Sequence, residues 1–171
     1  MITAAAPAGM GLAASLARPG GNITGLSSMD TDLSGKRLAL LKETVPTLSR
    51  MAVLWKATDR AMTLRFEQLQ VAAQALGVTL HPLGVRNATD IDGALAALTQ
   101  ERPDALFMIV DVLTNVHSRR IVDCAAQHQL PTMFETRRPV AAGGLMAYGP
   151  SFEARHRRAA YYFRQHLKAG G

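Results

Sequence analysis

The chain has 171 residues, 48% of them hydrophobic, and 19 Lys+Arg against 13 Asp+Glu give a net charge of +6. That length suits one domain, which buries about 70% of its unfolded surface and needs no covalent staple. The single cysteine, Cys124, excludes an intramolecular disulfide; His81, His117, His128, His156 and His166 have no partners at metal spacing; and no apolar run reaches the about 18–20 residues of a membrane span.

Met1 to Ala17 is small and apolar but has no basic segment ahead of it, so it is not read as a secretory signal. A short helix is expected from Met10 to Leu16, stopped by Arg18-Pro19-Gly20-Gly21, and a short strand over Asn22–Leu26. Ser34 then starts a helix with Leu38, Leu41 and Val45 on one face, and Pro46 ends it. Met51-Ala52-Val53-Leu54-Trp55 is continuously apolar, the pattern of a parallel strand covered on both faces. Asp59 is placed as the N-cap of a helix to Leu76, with Met62, Phe66, Leu69, Ala73 and Leu76 as its inward stripe.

Gly77 is a C-cap, and Val78–Val85 reads as the next strand. Asn87 to Asp90 supplies caps for a helix carrying Ile91, Leu95 and Leu98, closed by Pro103-Asp104. Ala105–Val110 is a third strand, with Asp111 immediately beyond it. Asn115–Leu130 is expected as a helix, Pro131–Glu135 as a strand, Thr136–Ala142 as a short helix and Gly144–Tyr148 as a fifth strand. Phe152–Lys168 closes the chain as a helix with Phe152, His156, Ala159, Ala160, Phe163 and Leu167 inward. Strands alternating with helices imply an α/β fold, a doubly wound parallel sheet of about five strands. Counted from Met51–Trp55, the expected order is 2-1-3-4-5, with the first and third strands adjacent at a switch point.

The wording of these segments carries a resemblance. Leu16-Ala17-Arg18-Pro19-Gly20-Gly21-Asn22-Ile23-Thr24-Gly25, Ser34-Gly35-Lys36-Arg37-Leu38, Leu41-Lys42-Glu43, Val45-Pro46, Ala52-Val53-Leu54-Trp55, Ala142-Gly143-Gly144-Leu145-Met146 and Tyr148-Gly149-Pro150 occur in one order. Together they resemble the ABC transporter substrate-binding protein family whose characterised relatives bind tryptophan or tyrosine. The resemblance implies a type I periplasmic-binding fold, two Rossmann-like lobes closing on a small molecule, an amino acid or aromatic compound, that passes to an ABC permease. It implies no enzyme activity and no cofactor, and a periplasmic or membrane-anchored extracytoplasmic location; made from Met1 as it stands, without a signal, the chain would remain cytoplasmic.

Matched to that plan, residues 1–26 read as a hinge-crossing N-terminal remnant and residues 27–171 as one Rossmann-like ligand-binding lobe, the second. The first lobe and a closing segment after Gly171 are expected to be missing. Apolar surface near Ile2, Met10, Leu12 and Leu16 is expected where the partner lobe would sit, a face prone to self-association. The loop after the central strand, commonly Asn-Pro in the family, is Lys56-Ala57-Thr58-Asp59 here.

Only loops after strand carboxyl ends face such a cleft, here Lys56–Asp59, Asp111–Asn115, Thr136–Arg138 and Tyr148–Ser151, with Thr136 among the ligand candidates. Asp111 is read either as acceptor for a ligand ammonium or as a residue that caps the following helix or is simply solvated. Thr58 and Asp59 either present helix N-terminal amides to a carboxylate or simply cap. Arg137 either pairs with a carboxylate or, beside Arg138, belongs to a solvated basic turn, and Tyr148 either lines the cleft or ends a strand. Trp55 reads as core or cleft wall, and Cys124, with Ile121 and His128, as a buried thiol. Arg155, Arg157, Arg158, Arg164 and Lys168 make the last helix basic; with aromatics at 5% and no nucleic-acid motif, that face is read as solvated.

Two other classes compete with solute binding. A phosphoacceptor enzyme with Asp111 as acceptor wants an acid pair after the first strand, where Trp55-Lys56 stands. A ligand-sensing regulator of the same fold would carry a helix-turn-helix head, and none is found in the sequence.

Overall fold

The computed structural model describes residues 2–4, 11, 13–15, 18, 20, 25–27, 33–151, 154, 156–161 and 164. Two short strands, β1 (Ile2–Ala4) and β2 (Gly25–Ser27), pair in parallel. Helix α1 (Ser34–Thr44) follows, then β3 (Arg50–Lys56), α2 (Arg60–Ala75), β4 (Thr79–Val85), α3 (Asp90–Glu101) and β5 (Ala105–Met108). The rest is α4 (Val112–Val116), α5 (Ser118–Gln127), β6 (Thr132–Phe134), α6 (Arg137–Ala141) and β7 (Met146–Ala147).

The main sheet has five strands in the order β4-β3-β5-β6-β7, every pairing parallel, which is the expected 2-1-3-4-5 arrangement. Val53 lies beside Phe107 and Ala52 beside Leu106. Period-two alternation divides β3 between two cores. Met51, Val53 and Trp55 join Phe107, Met133 and the inward stripes of α1 and α2. Ala52 and Leu54 join Leu106, Met108, Phe134, Ile91 and Leu98 of α3, and Ile121 and Val122 of α5. All five apolar residues of β3 from Met51 to Trp55 are buried, each large one contributing about 1.5–3 kcal/mol relative to exposure.

Local signals hold where a side chain or a special backbone conformation fixes a boundary. Asp59 caps α2, accepting from the amides of Ala61 (2.8 Å) and Met62 (3.4 Å). Gly77 leaves that helix at φ +64, a conformation that costs other residues about 1–2 kcal/mol. Asn87 Oδ1 accepts from the amides of Thr89 and Asp90 ahead of α3.

Three expectations are corrected. The segment after β5 is two helices, because Asp111 and Thr114 form a capping box that starts α4 at Val112, and His117 (φ -91, ψ 6) separates it from α5. No helix forms over the described part of Met10–Leu16: Gly11 adopts φ +72 and residues 13–15 are non-helical. Helical residues do recur among 154–164, but His156 and Ala160 are exposed and Ala159 half-buried, so the expected inward stripe does not hold there. Phe152, Phe163 and Leu167 lie outside the described residues, as do the side chains of Ile2, Met10, Leu12 and Leu16 on the expected apolar face.

Candidate functional site

Because all five strands of the main sheet run in parallel, the loops that follow β3, β5, β6 and β7 stand along one edge. Each candidate residue lies in one of them. Thr58 is exposed in the turn after β3, beside the half-buried Asp59, which is committed to capping α2. Thr136 is the half-buried N-cap residue of α6, without a side-chain cap bond, and Arg137 is exposed at that helix's first position. Tyr148, just past β7, is half-buried, with the Lys36 ammonium 5.0 Å from its ring centroid.

Asp111 has two tasks. Its Oδ1 accepts the Thr114 amide at 2.8 Å while its own amide donates to Thr114 Oγ1 at 2.9 Å, so the capping reading is observed directly. Its Oδ2 lies 4.0 Å from Lys56 Nζ, with the carboxylate side chain 5% and the lysine 34% exposed. That pair bridges the carboxyl ends of the adjacent strands β3 and β5. Among the described residues, no hydrogen bond or ion pair joins Asp111 to Thr58, Thr136, Arg137 or Tyr148. Trp55 stacks on Phe66 with centroids 4.0 Å apart and planes 6° from parallel, making it part of the core against α2. Its indole N–H has no acceptor among the described residues.

Behind this rim lies a buried ionic cluster that the sequence reading passed over. Glu135, at the end of β6, receives Arg37 Nη1 of α1 on Oε1 at 3.1 Å and Arg65 Nη1 of α2 on Oε2 at 2.7 Å. The same Oε2 accepts the Val110 amide at 2.9 Å, and Arg37 Nε donates to the Tyr148 carbonyl at 2.6 Å. All three charged side chains are buried. A signal for them was present: Arg65 falls between Met62 and Leu69 on the apolar stripe of α2, and Arg37 precedes Leu41 by one turn on that of α1. A cation on an inward stripe demands a buried acid.

Away from this edge, Cys124 is half-buried at the rim of a cavity of about 490 Å³ shared with Leu95, His117 and Arg120. Among the described residues no group of three or more His, Cys, Asp or Glu side chains is placed to hold a metal ion, and no helix is long and apolar enough to cross a membrane.

Residues 1–168 match the family described as ABC transporter substrate binding protein. A tyrosine-binding protein of Clostridioides difficile is 26% identical over 148 residues, 86% of this chain and 42% of that protein. Among solved structures, a conserved domain protein from Vibrio cholerae superposes with a TM-score of 0.86 at 22% identity, over 95% of this chain and 54% of that one. An ABC domain in complex with L-Trp from Streptococcus pneumonia gives 0.83 at 20% identity, with the same coverage. These structures share the fold; the chain spans about half the length of such relatives. The match over 168 of its residues shows that this chain belongs to the ABC transporter substrate-binding protein family.

Proposed function

We propose that the chain supplies one ligand-facing lobe of an extracytoplasmic solute-binding component that hands a small molecule, an amino acid or aromatic compound, to an ABC permease. The role is binding, not catalysis. The observation that carries this reading is the Lys56–Asp111 pair at the carboxyl edge of a parallel sheet, in a family with tyrosine- and tryptophan-binding members. Asp111 Oδ1 is committed to the α4 cap, which leaves Oδ2, 4.0 Å from the lysine, as the oxygen to accept a ligand ammonium. Lys56 then faces the ligand carboxylate, so one pair of opposite charges matches a zwitterion. In strand order the loops after β6, with Thr136 and Arg137, and after β7, with Tyr148, follow on the far side of β5, and Thr58 and Asp59 close the loop after β3.

A binding site normally encloses about 70–90% of a small ligand, and one lobe covers one side of it. The 171-residue chain is therefore expected to bind weakly. The test is titration of the chain with L-tryptophan, L-tyrosine and aliphatic amino acids, followed by amide NMR shifts. Aromatic amino acids should move signals in residues 56–59, 111–115, 136–138 and 148–151. Asp111→Asn should weaken the response about ten- to a hundred-fold, the value of one charge-assisted hydrogen bond. Shifts confined to other surfaces, or equal affinity for Asp111→Asn and the parent, overturn the assignment; micromolar or tighter binding by this chain overturns the one-sided site.

A further inference from the structure

We propose that Glu135 is a positioning residue: its buried carboxylate, through Val110, Arg65 and Arg37, holds the loops carrying Asp111 and Tyr148 in one fixed arrangement. The inference rests on the reading of that edge as the ligand site, but its central measurement needs no ligand.

The argument starts from what the cluster costs. Moving ions out of water carries a penalty of several kcal/mol each, and a buried ionic triad is often no more stable than apolar side chains of the same volume. Stability alone therefore gives little reason to bury Arg37, Arg65 and Glu135 together. Direction does: hydrogen bonds to a fixed carboxylate are specific in angle and length where apolar contacts are not.

The links run to the edge loops. Glu135 Oε2 takes the amide of Val110, the residue before Asp111, which fixes where the β5 loop leaves the sheet. The same oxygen takes Arg65, from the helix whose N-terminus carries Asp59 and follows the Thr58 turn. Oε1 takes Arg37, whose Nε holds the Tyr148 carbonyl at 2.6 Å. A further constraint acts on the Tyr148 loop: a Cβ on Gly149 would lie 2.1 Å from the Glu135 carbonyl oxygen and 3.2 Å from Arg37 Nη2, so only glycine lets the loop close on this cluster. One side chain thereby sets the relative position of three of the four loops along the edge, and the Arg137 loop follows it directly in the chain.

The experiment compares backbone 15N order parameters of the parent, Glu135→Gln and Asp104→Asn. Asp104 serves as control because it caps the opposite end of the sheet. Glu135→Gln keeps the shape and removes the charge. Amides of Val110–Asn115 and Tyr148–Gly149 should fall from about 0.85 to below about 0.6, with β3 and β5 still near 0.85. Asp104→Asn should lower stability and leave both loops rigid. Loss of order spread evenly over the molecule, or loops as rigid in Glu135→Gln as in the parent, overturns the proposal. Should Glu135→Gln fail to fold, Arg37→Gln cuts the Tyr148 link directly: loosening at Tyr148–Gly149 with Val110–Asn115 still ordered supports the proposal, and an unchanged Tyr148 loop refutes it. In parallel, L-tryptophan and L-tyrosine are titrated into the parent and Glu135→Gln. No response from the parent defeats the ligand reading while the order parameters still decide the role of Glu135.

Discussion

At each end of the main sheet a carboxylate gathers several donors, and the two are built on opposite terms. At the amino end Asp104 Oδ2 takes the Ser49 amide, the Ser49 hydroxyl and the Arg50 amide within 2.9 Å, in contact with water. At the carboxyl end Glu135 is 2% exposed and takes guanidinium groups from two helices as well as the Val110 amide. Water can replace Asp104's donors, so that cap adds a modest stabilisation and pins a turn. Water has little access to Glu135, so each loop at the carboxyl end is ordered only while its own link to that carboxylate is present. The end that faces ligands in parallel α/β sheets is thus the one where order depends on charge.

The largest expected effect comes from breaking the cluster one-sidedly. Glu135→Leu leaves Arg37 and Arg65 buried without their shared carboxylate, and about 3–5 kcal/mol of unfolding free energy should be lost in urea denaturation. Replacing all three, Arg37→Met with Arg65→Met and Glu135→Leu, should recover most of that loss, because an apolar core of similar volume avoids the desolvation penalty. A triple variant as unstable as the single one would mean that the cluster contributes net stability, and the contrast between the two ends would collapse. Next in size is Gly149→Ala. Its new Cβ meets a backbone oxygen rather than a side-chain tip that can move, so about 1–3 kcal/mol should go to shifting the loop. Gly93→Ala, which meets nothing within 4 Å, is the matched control and should not destabilise α3.

The same contrast explains what could be read from the residues. The sheet was legible because β3 and β5 are buried on both faces, which leaves unbroken apolar runs, and because Asp59 and Gly77 mark helix ends by local chemistry. The strand order followed from handedness once those runs were placed. The split at His117 leaves no mark in the apolar pattern: the capping box of Asp111 with Thr114 begins a helix three residues before the expected start at Asn115. Lys56 and Asp111 meet only because β3 and β5 are neighbours, and that meeting point was within reach of the topology. The Glu135 cluster was harder: its members are 28 to 98 residues apart in sequence, and each alone resembles an ordinary surface charge.

The amino end sharpens the comparison through pH. Amide donation from Arg50 and then Ser49 holds the Asp104 carboxyl below its ordinary value of 3.8, against a smaller opposing effect of burial. A carboxyl whose folded pKa lies below its unfolded one adds stability at pH above the unfolded value, and that stability disappears as pH falls through the folded value. Asp104→Asn keeps one acceptor oxygen and removes the charge, so at pH 7 it should cost about 1–2 kcal/mol. The deficit should stay constant down to about pH 5 and shrink as the parent's own Asp104 becomes protonated below about pH 4. Asp90, also held below its ordinary value, mainly by the Arg86 amide, is present in both chains, so its contribution cancels in the difference. Urea unfolding of parent and variant from pH 7 to pH 3 measures this directly. A deficit that is flat across the range would show that Asp104 acts by shape alone, and the amino end would then owe nothing to charge.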